Sequence, residues 1–388
     1  MAGARRLLAA FVLLVLCSVT LVASNSSFHQ AADAVDVQCK KLNDAKLPMF
    51  FFHGLEMDAH EGDVFHANLT GDGHTFISLA FCQNKCSDKA LYLQVQDAIT
   101  AISGIVNSDA ATYKDGYVFM GISLGALIAR AVIEQWDAHN VKSLISLAGP
   151  QNGLFYGPQL SDYLALMVLT QYGPTVVDAT IFDFSKFTQV DFNGKIQRAA
   201  AEAVLFPYMQ NQLSLVDMLH PPVAKTWAET APFLAKINNL DVCDCKDAAC
   251  RKDQQRRRKN FLKLCTAHFF GSPQDDFISP WQSAILGRYA DVRTTAQLET
   301  LFPQLHVLDV KDTDEYKTDS YGLQALAQRG GLLLHAVPNV GHSCWVRDYV
   351  TPDGKLDCKF QPVYDTHVYP VLRDPLRTAK PGKTATEF

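Results

Sequence analysis

Gly121-Ile122-Ser123-Leu124-Gly125 is the segment of this chain best suited to do chemistry. It follows an apolar run, Gly116-Tyr117-Val118-Phe119-Met120, and opens a helix-like stretch from Leu124 to Trp136. In that context a GxSxG pattern makes a sharp strand-to-helix turn that exposes the serine hydroxyl at the end of a sheet. A hydroxyl is a weak nucleophile until a base takes its proton. In hydrolases built this way the partners follow in the order serine, acid, histidine. His342, in Asn339-Val340-Gly341-His342, lies just past a strand-like run that ends near Val337, where the base belongs. The acid is expected in Gly271-Ser272-Pro273-Gln274-Asp275-Asp276-Phe277-Ile278-Ser279-Pro280. Composition does not choose between the adjacent carboxylates. The spacing to Ile278 and Pro280 favours Asp275, which leaves Asp276 as a solvated loop or capping group. The chemistry is acyl transfer: Ser123 attacks, His342 takes its proton, and Asp275 orients and stabilises the imidazolium. The oxyanion needs two backbone donors. These are expected to be the N–H of Leu124 and, from His53-Gly54-Leu55, the N–H of Leu55. His53 reads as a positioning residue, and His335 as a core or edge residue of the late strand.

These groups need a scaffold, and the rest of the chain supplies its signs. Pro48 to Phe52, Val141 to Leu147, His268 to Phe270 and Gly331 to Val337 are short apolar runs of the kind that form buried parallel strands, with His74 to Leu79 a weaker candidate. Leu91 to Val106 carries apolar residues at helical spacing. Strands alternating with helices argue for an α/β chain with a mostly parallel, doubly wound sheet. Residues from about 151 to 242 break the rhythm; they read as a mainly helical, lid-like insertion over one end of the sheet.

Of the 388 residues, 48% are hydrophobic and 19% charged, with a net charge of −5. Such a chain can bury a full core, and its mild acidity argues against nucleic-acid binding. Arg5 and Arg6, the apolar run from Leu7 to Val22, and Val22-Ala23-Ser24 have the layout of a secretory leader cleaved near Ser24. A single domain is expected from 25 to 388, with no later run fit to span a membrane. Nine cysteines remain once Cys17 leaves, and in an oxidising compartment most should pair. No CxxC or histidine pair accompanies them at ligand spacing, so no metal site is expected. Sequons at Asn25 and Asn68 fit the same export route.

Several segments together resemble the palmitoyl-protein thioesterases, over about Pro48 to Leu372. They are Phe52-His53-Gly54-Leu55, the serine turn, and Leu144-Ile145-Ser146-Leu147-Ala148-Gly149-Pro150-Gln151-Asn152-Gly153. Phe233-Leu234-Ala235-Lys236-Ile237-Asn238, the Gln274 to Pro280 loop, Asp319-Ser320-Tyr321-Gly322-Leu323 and Gly341-His342 extend the match. The resemblance implies an α/β-hydrolase fold and hydrolysis of a thioester between a long fatty acyl group and a cysteine, with Asp275 as the acid and no cofactor. The implied partners are S-acylated proteins or peptides, and the implied compartment is lysosomal, vacuolar or extracellular. Leu124 stands where the family often has glutamine, and the stretch from Tyr163 to Lys195 is longer than usual. The cysteines from Cys243 to Cys250 and the run Arg256-Arg257-Arg258-Lys259 also look added, the latter as a solvated helix face. A secreted lipase or carboxylesterase acting on oxygen esters is the nearest alternative, and a non-catalytic binding protein of the same fold the more distant one.

Overall fold

Six of the apolar runs pair into one sheet. In a computed structural model of the chain, the described residues are 46–379, apart from 207, 208, 210, 231, 232 and 244–246, together with 39, 41 and 42. The expected leader, the Asn25 sequon and Cys245 lie outside them. The strands are β1 (Met49–Phe52), β2 (Phe76–Ser78), β3 (Tyr117–Ile122), β4 (Val141–Leu147), β5 (Thr266–Gly271) and β6 (Leu332–Ala336). Every residue of β1, β3, β4 and β5 is buried, as expected of strands covered on both faces. The order is β2-β1-β3-β4-β5-β6 and every pairing is parallel. The chain therefore runs from β1 outward to β2, then returns to the other side of β1 as β3. That reversal opens a crevice at the carboxyl ends of β1 and β3, where open α/β sheets place their ligands. This is an α/β-hydrolase fold.

The stretch with apolar residues at helical spacing, from Leu91, is a helix of 18 residues. The helices include α1 (Asp63–Gly71), α2 (Leu91–Ser108), α3 (Leu124–Gln135), α4 (Leu160–Val176), α5 (Lys195–Val204) and α6 (Ala248–Phe261). All of α3 but Gln135 is buried. Asn68 is exposed on α1. No described helix is long and apolar enough to cross a membrane. Disulfides join Cys82 to Cys86, Cys243 to Cys250, and Cys344 to Cys358.

The insertion is helical, yet only part of it faces the sheet's crevice. Ala203 and Val204 line a separate apolar cavity of about 70 Å³ with Phe155, Leu166, Leu169 and Ile196. Ala201 of the same helix belongs to a buried cluster with Phe155, Val223, Tyr289 and Leu298, so the inner face of α5 packs as core.

The basic run of α6 is also not a solvated face. Successive helical residues are turned by about 100°, so four in a row cannot share one side. Arg257 is fully buried and donates to Asn239 Oδ1 at 2.8 Å while pairing with Asp241 and Asp253. Arg256 reaches Asp137 at 2.7 Å and Asp253 at 2.8 Å, and Arg258 pairs with Asp319. Lys259 alone of the four is exposed.

Beside this network, Glu134 is fully buried in α3, 3.6 Å from Arg130 Nε. Burial pushes its carboxyl up to about 8, against the pull of Arg130 and Arg257. The folded state thus holds a proton that the unfolded chain releases near pH 4.5. Wild-type stability should fall as pH rises from there to about 8, and Glu134→Gln removes that loss. The expected result is a difference in Tm, variant minus wild type, that grows by about 2 °C or more between pH 5 and pH 8.5. Thermal denaturation at both values checks it; a difference independent of pH would place the proton elsewhere.

Candidate active site

Four loops at the carboxyl ends of β1, β3, β5 and β6 meet in the crevice. Ser123 forms the tip of the loop between β3 and α3, with φ 52° and ψ −128°. A non-glycine residue is strained there, and such strain persists only where the surroundings fix it. The Ser123 N–H donates to Leu147 O at 2.9 Å, which pins the turn to β4. The flanking glycines are required by space. A Cβ at Gly121 would lie 2.7 Å from Ala126 N, and one at Gly125 would lie 2.3 Å from Phe52 O and His53 O.

His342 Nε2 lies 3.0 Å from Ser123 Oγ. On the ring's other side, Nδ1 lies 3.1 Å from both oxygens of Asp275. Asp275 is itself held: its Oδ1 accepts the N–H groups of Phe277 at 2.9 Å and Ile278 at 2.8 Å. Burial works to lower the His342 pKa, but the charge and hydrogen bond of Asp275 outweigh it, with Asp276 and Glu61 adding, so the net shift is upward. The Phe277 ring stacks on the imidazole with 5.1 Å between centroids.

Asp276 is not a solvated carboxylate. It is 5% exposed, accepts the His342 N–H at 2.9 Å and accepts the Tyr349 hydroxyl at 2.5 Å. Burial and the neighbouring Asp275 charge raise its pKa. The two adjacent acids thus divide between the ring and the backbone of one histidine. The histidine loop is tied further by Asn339 N–H to Gln274 Oε1 at 2.6 Å and by the Cys344–Cys358 disulfide just beyond it.

The turn after β1 completes the crevice. His53 is buried, with Nδ1 3.0 Å from Gly54 O and Nε2 2.7 Å from Phe81 O. It braces the turn rather than facing the serine. Leu124 begins α3, and the first N–H groups of a helix have no intrahelical acceptor. Among the described residues, no backbone acceptor takes the N–H of Leu55 or of Leu124. A cavity of about 320 Å³ opens here, lined by Ser123, His342, Leu55, Val168, Tyr172 and Phe277 among others. Val168 and Tyr172 come from α4, so the first helix of the insertion roofs the serine. The Tyr172 hydroxyl donates to Glu56, which also pairs with Lys85, and this ties α4 to the turn after β1.

Four contributors escape a reading of the sequence. Phe277, Tyr349, Tyr172 and Glu61 belong to no spacing rule; they lie on a loop, a short strand, a helix and a 3-10 turn that only folding brings together. Phe277 and Tyr349 carried one faint sign, an aromatic close in sequence to the acid or the histidine.

The family model described as palmitoyl protein thioesterase matches residues 48–342. Lysosomal thioesterase PPT2 of Bos taurus is 27% identical over 301 residues, covering 77% of this chain and 82% of its own. That of Rattus norvegicus is 26% identical with the same coverage. Lysosomal thioesterase PPT2-B of Xenopus laevis is 26% identical over 224 residues, 58% of this chain, which spans only 61% of that relative's length. Among solved structures, a monoacylglycerol lipase from Paleococcus ferrophilus is similar at 12% identity and a TM-score of 0.34, over 77% of this chain and 88% of its own. That likeness adds nothing to what the sheet order already states. The family match takes in the turn after β1, the serine, both acids and the histidine, and on its extent the chain belongs to the palmitoyl protein thioesterase family of hydrolytic enzymes.

Proposed function

We propose that this protein hydrolyses thioesters between long-chain fatty acids and cysteine, using Ser123, His342 and Asp275. The observation that carries the reading is the unbroken line from Ser123 Oγ through His342 to Asp275, in a chain of this family. His342 Nε2 takes the proton as Ser123 Oγ bonds to the thioester carbonyl carbon. The N–H groups of Leu55 and Leu124 donate to the oxyanion. The carbon–sulfur bond then breaks, the cysteine sulfur leaves with the proton from His342, and an acyl-serine remains. Water attacks the acyl-serine, with His342 again taking a proton and returning it to Ser123, and the fatty acid is released. Asp275 holds the imidazole in the tautomer that leaves Nε2 free to accept. A thiolate is a good leaving group, so the acid step asks little of His342.

The apolar walls from Val168, Tyr172, Leu55 and Phe277 suit an acyl chain. Each enclosed methylene contributes about 0.8 kcal/mol. Four more methylenes then contribute about 3 kcal/mol, roughly a hundredfold in kcat/KM. The expected result is a steep rise in kcat/KM for acyl-cysteine peptides from C8 through C12 toward C16, measured below their micelle thresholds. A flat or short-chain profile would remove the long-chain preference and leave the hydrolytic reading in place. Matched palmitoyl oxygen esters decide the bond cleaved: higher kcat/KM on those esters would make the protein a carboxylesterase.

The disulfides, the leader-like amino terminus and the lysosomal naming of the relatives support a route through the secretory pathway to the lysosome. Asn68, exposed on α1, is the sequon within the described residues that is open to glycan addition on that route.

A further inference from the structure

Glu61 has no part in the three-residue line, yet it borders the same cavity as Ser123 and His342. It sits in a short 3-10 turn, Ala59–Gly62, seven residues beyond Gly54. Its Oε2 accepts the Gly54 N–H at 2.8 Å. The other side of Gly54 is held too, since its carbonyl oxygen lies 3.0 Å from His53 Nδ1 and accepts the Met57 N–H at 3.3 Å. That carbonyl shares one planar peptide unit with the N–H of Leu55. Glu61 and His53 therefore grip the two peptide planes flanking the Gly54 Cα, and together they fix where the Leu55 N–H points. A Cβ built at Gly54 would stand in ordinary contact with both groups, 3.5 Å from Glu61 Oε2 and 3.6 Å from Ser123 Cβ, which shows how near this turn brings Glu61 and Ser123.

We propose that Glu61 is a positioning residue of the oxyanion turn, holding the Gly54 peptide so that the Leu55 N–H meets the oxyanion, and that its charge supports the imidazolium of His342. This rests on the hydrolytic reading above. The charged and titratable groups that act on Glu61 are His53 behind the turn, His342 across the cavity and Arg347 beyond the histidine loop; His60 on its own turn instead pairs with exposed Asp63. Burial raises the Glu61 carboxyl above the usual range, while the Gly54 hydrogen bond and those three groups oppose the rise. Glu61 in turn raises His342, after the larger influence of Asp275.

Two variants separate the two roles. Glu61→Gln keeps an oxygen to accept the Gly54 N–H and removes the charge; Glu61→Ala removes both. Glu61→Ala is expected to lose about 30-fold in kcat with KM little changed, less than the 10²–10³ that follows loss of a whole oxyanion donor. Glu61→Gln is expected to keep plateau kcat within about threefold of wild type. Both should shift the acidic limb of kcat/KM to lower pH, because His342 loses a charge that favours its protonated form. Phosphonylation of Ser123 by a fluorophosphonate, followed by mass spectrometry, reads the same turn whichever ester is preferred, and thermal denaturation confirms that each variant is folded. A folded Glu61→Ala protein with wild-type kcat and phosphonylation rate overturns the positioning role. So does an equal loss in both variants, or a change confined to KM. An unmoved acidic limb overturns the electrostatic role. Turnover or labelling that is the same in wild type and in Ser123→Ala would instead strike the hydrolytic reading itself, a different failure.

Discussion

Ser123→Ala is expected to lose on the order of 10⁶ in kcat on palmitoyl-cysteine peptides while keeping its fold, the scale seen when the nucleophile of a serine triad is removed. The substitution deletes one oxygen and leaves the backbone of the turn its bond to Leu147. Stability should therefore change little. An alanine at φ 52° is as strained as the serine it replaces, so the elbow keeps its cost. The measurement is steady-state hydrolysis beside a melting curve and fluorophosphonate labelling. Hydrolysis at the wild-type rate by a folded Ser123→Ala protein would show that another group attacks the carbonyl. The Leu124 N–H and the cavity survive the change, so residual catalysis well above water is expected.

Asp275→Asn is expected to lose about 10⁴ in kcat, the size of effect found when a triad carboxylate becomes an amide and the imidazole adopts the wrong tautomer. The reason lies in its neighbours. Asp275 Oδ1 already accepts two backbone N–H groups, so an asparagine would place its carbonyl oxygen there and turn its NH₂ toward His342 Nδ1. That nitrogen would then accept, leaving Nε2 protonated and unable to take the Ser123 proton. Asp276→Asn should lose no more than about tenfold, since its amide oxygen can still accept the His342 backbone N–H and no ring nitrogen is involved. Parallel kinetics of the two variants decide the matter. If the losses are reversed, Asp276 is the acid and the ring must turn in the working enzyme.

The strands were legible because they are buried on both faces and read as unbroken apolar runs; β1 and β4 match those runs nearly residue for residue. Ends were less legible: β5 begins at Thr266, two residues before the apolar run of His268, because a threonine can join a buried ladder when its hydroxyl finds a partner, here Ser143 Oγ and Pro375 O. The order of β2, β1 and β3 could not be read locally, since pairing joins segments far apart in the chain.

The sequence by itself determined the chemistry that local sterics dictate. Two glycines around Ser123 are needed wherever a strand turns so sharply into a helix, and that requirement is visible within five residues. Folding decided everything that depends on which loops share a crevice. It set Asp275 on the imidazole and Asp276 on the backbone of the same histidine, although the two are adjacent and alike. It buried Arg257 from the middle of a charged run, and turned Val204 into a separate apolar cavity while α4 came to cover the serine. It also brought Glu61 beside Ser123 and His342. Hydrogen bonds and desolvation act over a few ångströms of space, and the number of residues separating two groups along the chain does not enter them.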